Sequence, residues 1–450
     1  ILDGLLRPGQ RVPSTRVLAI ELGMSRLPVL TAYEQLLHEG YLEGRVGSGT
    51  YVCAAAPDTR LRAKARVEMH PADGKRTQVT PGRSEGGVRP FRMSLPALDE
   101  FPQPLWGRIV ARYAHRLTPA HLAYGDPAGL APLRLAIAAH LRTARAVNCE
   151  ADNLLVTSGS QAGLRLSAAV LLARGDRVAI EDPSYPGART AFTAAGAELV
   201  PIPVDEEGLD VAALARHQRI RAVYVTPSHQ YPLGFSMSAT RRLALLDWAA
   251  RHDAWIIEDD YDSEYRYVSR PLGALQGMDA RNRTVYVGTF SKVLYPSLRV
   301  GYLVVPPSLW ESFLDAREAL DVFSPTLYQL ALAEFLDEGH FARHLRRMRT
   351  IYQRRREALL EGLAENCGDR LTVLNADAGL HVATILSGNS DDRAIVRRMT
   401  ARGLAGTTLS GCFIGPVRTN GLLLGFGGFD EHTLIDATRT LAEVLNNRRG

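Results

Sequence analysis

The chain of 450 residues is 46% hydrophobic and 22% charged, with a formal net charge of +5. That length implies two or three domains, and the composition is that of a globular protein, not a disordered or fibrous one. No run approaches the roughly 20 apolar residues of a membrane-spanning helix, and Cys53, Cys149, Cys367 and Cys412 are scattered without a CxxC pair, which argues against a zinc or disulfide framework and for a reduced, cytoplasmic protein that meets no membrane.

The chain begins Ile1-Leu2-Asp3, with neither a methionine nor the pattern of a signal peptide, and reads as a piece cut on its N-terminal side. After the Pro8-Gly9 turn, Ser14 is placed to cap a helix over 16–22, with Val17, Leu18 and Leu22 as its apolar face and Gly23 as its stop. Ser25 is placed to cap a second helix over 26–39, where Val29, Ala32, Tyr33, Leu36 and Leu37 fall at helical spacing. Pro28 falls in the first turn of that helix, where its missing N–H breaks no bond. Strands at 41–43 and 50–52 flank the glycine-rich stretch 44–49, which makes a wing.

The stretches RVPSTRVLA, LGMSR, AYEQL and EGYLEGRVGSGTYV resemble the winged helix-turn-helix of the GntR family. The resemblance assigns residues 1–52 to binding double-stranded operator DNA. It turns Arg11, Ser14, Arg16, Ser25 and Arg26 toward phosphates or bases and makes Gly47, Ser48 and Gly49 the wing tip at a groove. Leu27-Pro28 stands where family members carry a small or polar pair, and it offers a base no side-chain hydrogen bond. Arginines and acids balance in this segment, so binding requires the arginines to gather on one face. Residues 53–90 follow without periodicity, rich in charge, Gly and Pro, and read as a flexible basic linker.

From Leu154 onward strands and helices alternate: strands at 154–157, 178–180, 198–202, 222–226, 255–258 and 285–287, with helices such as 162–173 and 239–251 between them. This predicts an α/β domain over 91–450 with a mostly parallel sheet and ligands at the strand C-termini. The polar residues at those ends form a set. Ser158-Gly159-Ser160-Gln161 opens a helix, where free N–H groups hold phosphate. Tyr185 follows a strand and is either a ring that stacks on a flat heterocycle or a cap on the core. Glu258-Asp259-Asp260 ends an apolar strand, a costly place for three acids unless they are paired; the alternative is a solvated acidic loop. Thr289-Phe290-Ser291-Lys292 leads to Arg299 between two apolar runs, so Lys292 is either a surface lysine or a desolvated amine able to attack an aldehyde.

The stretches YGDPAGLAPLRLAIAAHL, VTSGSQAGL, EDPSYPGAR, TPSHQYPLG, EDDYDSEYRY, TFSKVLYPSLRVGYLVVP and GLHV, in that order, resemble fold-type I pyridoxal-phosphate-dependent aminotransferases. With the winged helix, the whole chain resembles the MocR subgroup of GntR regulators, whose aminotransferase-like domain includes a small C-terminal α+β subdomain. The resemblance implies pyridoxal 5′-phosphate as cofactor, with Lys292 as the Schiff-base lysine, Asp259 on the ring nitrogen, Tyr261 on the ring oxygen and Tyr185 on the ring face. It implies a phosphate cup of Ser160, Gln161, Thr289, Ser291 and Arg299, with Tyr124 reaching the phosphate of a partner in a head-to-tail homodimer and His229 lining the pocket. Leu423 stands where the family carries an arginine that forks onto a substrate carboxylate. The expectation is a regulator that binds operator DNA as a dimer and senses a small amine, or the cofactor itself. The effector then lacks a carboxylate there, or meets another base such as Arg189. An aminotransferase with an accessory DNA-binding domain is the alternative, and a catalytically dead scaffold the third reading.

Overall fold

A computed structural model describes residues 1, 5–54, 88–268, 273–388 and 390–446. It divides into two compact units, Ile1–Gln78 and Val79–Gly450. Most of the expected linker, residues 55–87, lies outside the described residues.

In the first unit, helix α1 (Thr15–Glu21) starts where the Ser14 side chain accepts the Val17 N–H. Helix α2 (Arg26–His38) has Ser25 at its N-cap position, but the Ser25 side chain makes no capping bond. Strands β1 (Leu42–Arg45) and β2 (Gly49–Val52) pair antiparallel, which shortens the wing turn to 46–48. A small core of Val12, Ala19, Val29, Tyr33, Leu42 and Val52 joins these elements. The expected apolar faces differ in phase: Val17 and Leu22 are exposed while Ala19 is buried, and Ala32 and Leu37 of α2 face outward. Residues 17–22 are nearly all apolar, so periodicity could not select the buried ones.

In the second unit the strands are β3 (Leu154–Thr157), β4 (Arg177–Asp182), β5 (Glu198–Asp205), β6 (Gly208–Leu209), β7 (Ile220–Val225), β8 (Trp255–Asp260), β9 (Thr284–Thr289) and β10 (Gly301–Val304). They form one sheet in the order β3-β10-β9-β8-β7-β4-β5-β6. The inner run from β9 through β8, β7 and β4 to β5 is parallel, and β10 and β6 run antiparallel to their neighbours. The α/β fold with a mostly parallel sheet is the one the alternating sequence predicts. Both faces of the sheet are apolar, as a doubly covered sheet requires. Val178, Ile180, Ala222, Tyr224, Trp255 and Ile257 pack on one face, and Ala179, Val223, Val225 and Ile256 on the other. A second, antiparallel sheet holds β11 (Leu371–Val373), β12 (His381–Leu386), β13 (Thr407–Thr408) and β14 (Gly421–Gly425), in the order β11-β12-β14-β13. With the helices His340–Cys367, Asp392–Ala401 and Glu431–Asn446 it forms the C-terminal α+β subdomain.

Candidate functional site

The alternation of β8 sorts its three terminal acids. Asp259 shares the face of Trp255 and Ile257, where Tyr224 of the neighbouring β7 donates its hydroxyl to Asp259 Oδ2 at 2.8 Å. Glu258 and Asp260 point the other way. Glu258 accepts the N–H groups of Leu275 and Gln276, and Asp260 accepts from Arg145 and, at 2.6 Å, from Tyr286. All three acids are buried, so this is a paired cluster and not a solvated loop. Asp259 keeps one atom without a partner, its buried Oδ1.

Asp259 is one of the residues that line a cavity of ≈ 160 Å³ at the C-terminal ends of the parallel strands. The wall also contains Ser160, Gln161, Tyr185, Tyr261, Thr289, Ser291, Lys292 and Arg299, gathered with Asp259 from four segments far apart in sequence. Lys292 follows β9 on a turn, and its Nζ donates to the Ser94 carbonyl at 3.1 Å. Burial lowers the Lys292 ammonium to about 8, although Asp262 and Asp259 pull it back up. Burial likewise raises Asp259 to about 7, against the hydrogen bond from Tyr224. At the other end of the cavity Ser160 and Gln161 open the helix Ser160–Leu171, whose first N–H groups have no intrahelical acceptor. Gly159 precedes it at φ +94°, and a Cβ there would lie 2.9 Å from the Arg299 guanidinium. Arg299 is thereby held against the helix start, donating to the Ser158 carbonyl at 2.5 Å. Ser291 N–H is turned onto the Thr289 hydroxyl at 3.2 Å, and Gln161 Nε2 onto the Gly187 carbonyl at 2.9 Å.

Tyr124, expected to serve a partner's site and not this one, is exposed at the surface, edge-on to Phe323. His229 does not line the cavity: it is buried behind Tyr261, with Nδ1 3.0 Å from the Tyr261 hydroxyl and 2.9 Å from Asp262 Oδ1. The wall includes four residues to which the sequence assigned no role, Ser94, Tyr224, Tyr231 and Pro296. Tyr224 carried only a partial signal, as an aromatic residue of an expected strand, because the register of that strand against β8 is not written in the sequence. Ser94 carried none, because it arrives from a distant segment. Leu423 is fully buried on β14 opposite Ala383, in an apolar cluster with Leu233, Leu409 and Cys412 against which Tyr231 packs. Arg189 donates to the carbonyls of Phe413 and Gly411 and fastens that loop.

In the first unit, Arg11, Ser14, Arg16, Ser25, Arg26, Gly47, Ser48 and Gly49 are all exposed. Arg26 Nε reaches the Thr15 hydroxyl of α1 at 3.3 Å, bringing the starts of the two helices together. The Arg11 guanidinium lies against Gly49, so Arg11 belongs with the wing. Tyr33 donates to the Pro13 carbonyl at 2.7 Å and ties the stretch before α1 onto α2. Leu27 is exposed beside Arg26, a surface with no hydrogen-bonding side chain at that position.

The cavity suits one kind of group. An amine poised near neutrality takes an aldehyde, an orphaned carboxylate oxygen takes a ring N–H, an aromatic ring covers a planar face, and a helix N-terminus beside an arginine takes a phosphate. Pyridoxal 5′-phosphate carries all four features. Among the described residues there is no cluster of His, Cys, Asp and Glu able to hold a metal ion, and no helix long and apolar enough to cross a membrane.

Residues 106–413 match the family of class I and II aminotransferases, and residues 1–52 match bacterial regulatory proteins of the gntR family. The chain is similar to the probable rhizopine catabolism regulatory protein MocR of Rhizobium meliloti, 38% identical over 454 residues that cover 99% of this chain and 91% of that protein. It is similar also to the HTH-type pyridoxine biosynthesis transcriptional regulator PdxR of Corynebacterium glutamicum, 37% identical over 434 residues, covering 96% of this chain and 91% of that protein. Among solved structures, the α-aminoadipate aminotransferase of Thermus thermophilus, complexed with N-(5′-phosphopyridoxyl)-L-leucine, matches with a TM-score of 0.74 and 29% identity over 79% of this chain and 91% of its own.

Proposed function

The chain belongs to the gntR family of bacterial regulators in its MocR form, with a class I and II aminotransferase domain, and from this we propose that it is a pyridoxal-phosphate-dependent transcriptional regulator. Residues 1–52 bind double-stranded operator DNA, 53–90 tether them, and 91–450 hold the cofactor and sense a small amine or the cofactor itself. The protein works in the cytoplasm as a head-to-tail homodimer, and the exposed Tyr124 reaches the phosphate held by the partner subunit.

The observation that carries this reading is that Asp259, whose Oδ1 has no partner, lines the same cavity as Lys292. When bound, the cofactor supplies an aldehyde that takes amines and a ring that withdraws electrons. Lys292 holds it and supplies the neutral amine that burial makes accessible near pH 8. Asp259 accepts the ring N–H and keeps that nitrogen protonated, Tyr185 covers the ring, and Tyr261 donates to the ring oxygen. The helix start at Ser160 and Gln161, with Thr289, Ser291 and Arg299, holds the phosphate. Leu423 and its apolar cluster offer a carboxylate no charge-assisted bond, which favours an effector without one at that position, or the cofactor, over amino-acid turnover. A ligand moves the DNA-binding equilibrium only by preferring one conformation of the protein.

The test is a gel shift with the operator region beside the gene, with and without pyridoxal phosphate, on the wild type and Lys292→Ala. The expected result is a visible cofactor band and a cofactor-dependent shift, both lost in Lys292→Ala. Steady formation of keto acids from amino acids without any operator binding would refute the regulator and favour an aminotransferase with an accessory domain.

A further inference from the structure

We infer that His229, held by Asp262, is a positioning residue that aims the hydroxyl proton of Tyr261 into the cavity. His229 Nδ1 lies 2.9 Å from Asp262 Oδ1 and 3.0 Å from the Tyr261 hydroxyl oxygen. A ring nitrogen carries either a proton or a lone pair. Facing a carboxylate oxygen, a lone pair would be repelled, so Nδ1 carries the proton. The Tyr261 oxygen then accepts at that contact, and its own proton must point elsewhere. Tyr261 lines the cavity, so the open direction is toward the cavity.

The surroundings hold the ring in place. Gly379 packs over it at φ +76°, where a Cβ would collide with both the imidazole and the Asp262 carboxylate. The His381 ring centroid lies 5.3 Å from that of His229, and His381 Nε2 contacts the Pro232 carbonyl at 3.1 Å. Burial lowers His381 to about 4, so it stays neutral near pH 7. Tyr231 lies against both Tyr261 and His381. Lys292 is the nearby cation, and Asp262 is the strongest of the groups that raise it. One carboxylate thus orients His229 and stabilises the Lys292 ammonium.

The inference rests on pyridoxal phosphate occupying the cavity. A hydrogen bond donated to the ring oxygen is strongest when that oxygen bears most charge, which is when the adjoining lysine–cofactor nitrogen has lost its proton. The bond therefore lowers the pH at which that nitrogen titrates. The experiment is a pH titration of the visible cofactor band in wild type, His229→Leu, His229→Asn, Tyr261→Phe and the double variant His229→Leu/Tyr261→Phe. Asparagine places an N–H where Nδ1–H stands. His229→Leu is expected to raise the midpoint by about one pH unit, the differential of one hydrogen bond to a charged oxygen. His229→Asn should restore the wild-type value, and His229→Leu should add nothing to Tyr261→Phe. Independently of the cofactor, the stripped wild type should show a downfield histidine N–H proton resonance that His229→Leu removes. An unmoved midpoint in His229→Leu, or additive shifts in the double variant, overturns the role of His229 alone. A wild type with no visible band refutes the cofactor reading and this one with it.

Discussion

Asp259→Asn should push stability and cofactor affinity in opposite directions. Its carboxyl is raised from 3.8 to about 7, first by burial. A carboxyl with a raised folded-state value holds its proton in the folded state while the unfolded chain has lost it. Stability therefore falls as pH rises between about 4 and 7 and is flat above. A difference of about 3 pH units corresponds to about 4 kcal/mol at pH 8; the cavity gives water a path to the carboxylate, so this is a ceiling. Asparagine is isosteric and still accepts the Tyr224 hydroxyl, so the stripped variant should be more stable than the stripped wild type at pH 8 and equal to it near pH 4. The bound state reverses the sign. Asp259 Oδ1 has no partner of its own, and a ring N–H⁺ would complete it with a charge-assisted bond. Losing that bond costs about 1.5–3 kcal/mol, or roughly 10- to 100-fold in dissociation constant. The assay is urea denaturation of stripped protein from pH 4 to pH 8, paired with a cofactor titration. A stripped variant less stable than wild type at pH 8, or one that binds the cofactor as tightly, would refute the account of Asp259.

Three further outcomes follow from the same geometry. Only the neutral Lys292 amine attacks an aldehyde, and a value of about 8 makes the rate of cofactor capture rise about fivefold from pH 7 to pH 8 and level off above pH 9; stopped-flow growth of the visible band measures it, and a tenfold rise per unit continuing to pH 10 would contradict it. Gly159→Ala should weaken cofactor binding about tenfold, because its φ of +94° and the Arg299 guanidinium 2.9 Å from a Cβ both oppose the change; undiminished affinity would show that the helix start does not hold the phosphate. Arg16→Ala and Arg26→Ala should each weaken DNA binding across sequences and reduce the salt slope by about one, measured by fluorescence anisotropy at several salt concentrations; an unchanged slope would remove that residue from the interface.

How far the sequence speaks for itself can be seen in the three acids of β8. Their unbroken run after an apolar strand marked the place, and in the folded strand alternation puts Asp259 on the face of Ile257. Alternation could not say that Tyr224 would fall opposite Ile257, from where its hydroxyl reaches Asp259, because the register of β7 against β8 is set by packing between segments separated in the chain. The same division runs through the rest of the site. Lys292, Thr289 and Ser291 were legible because one strand end carries them all, and the helix start at Ser160 because a glycine and small polar residues announce it. His229 was legible as a residue beside the cavity but not as one behind Tyr261, since its depth is fixed by Gly379, which returns from the C-terminal subdomain. Ser94 is more remote still, reaching Lys292 across 198 positions. In the first unit the limit is different. Val17, Leu18, Ala19, Ile20 and Leu22 present apolar side chains almost all round α1, so the short helix has no sequence phase to read, and only contact with Tyr33 and Val29 decides that Ala19 turns inward. Local chemistry is therefore written in the chain wherever one element supplies it. Orientation is not, because it belongs to pairs of elements that meet only in the folded protein.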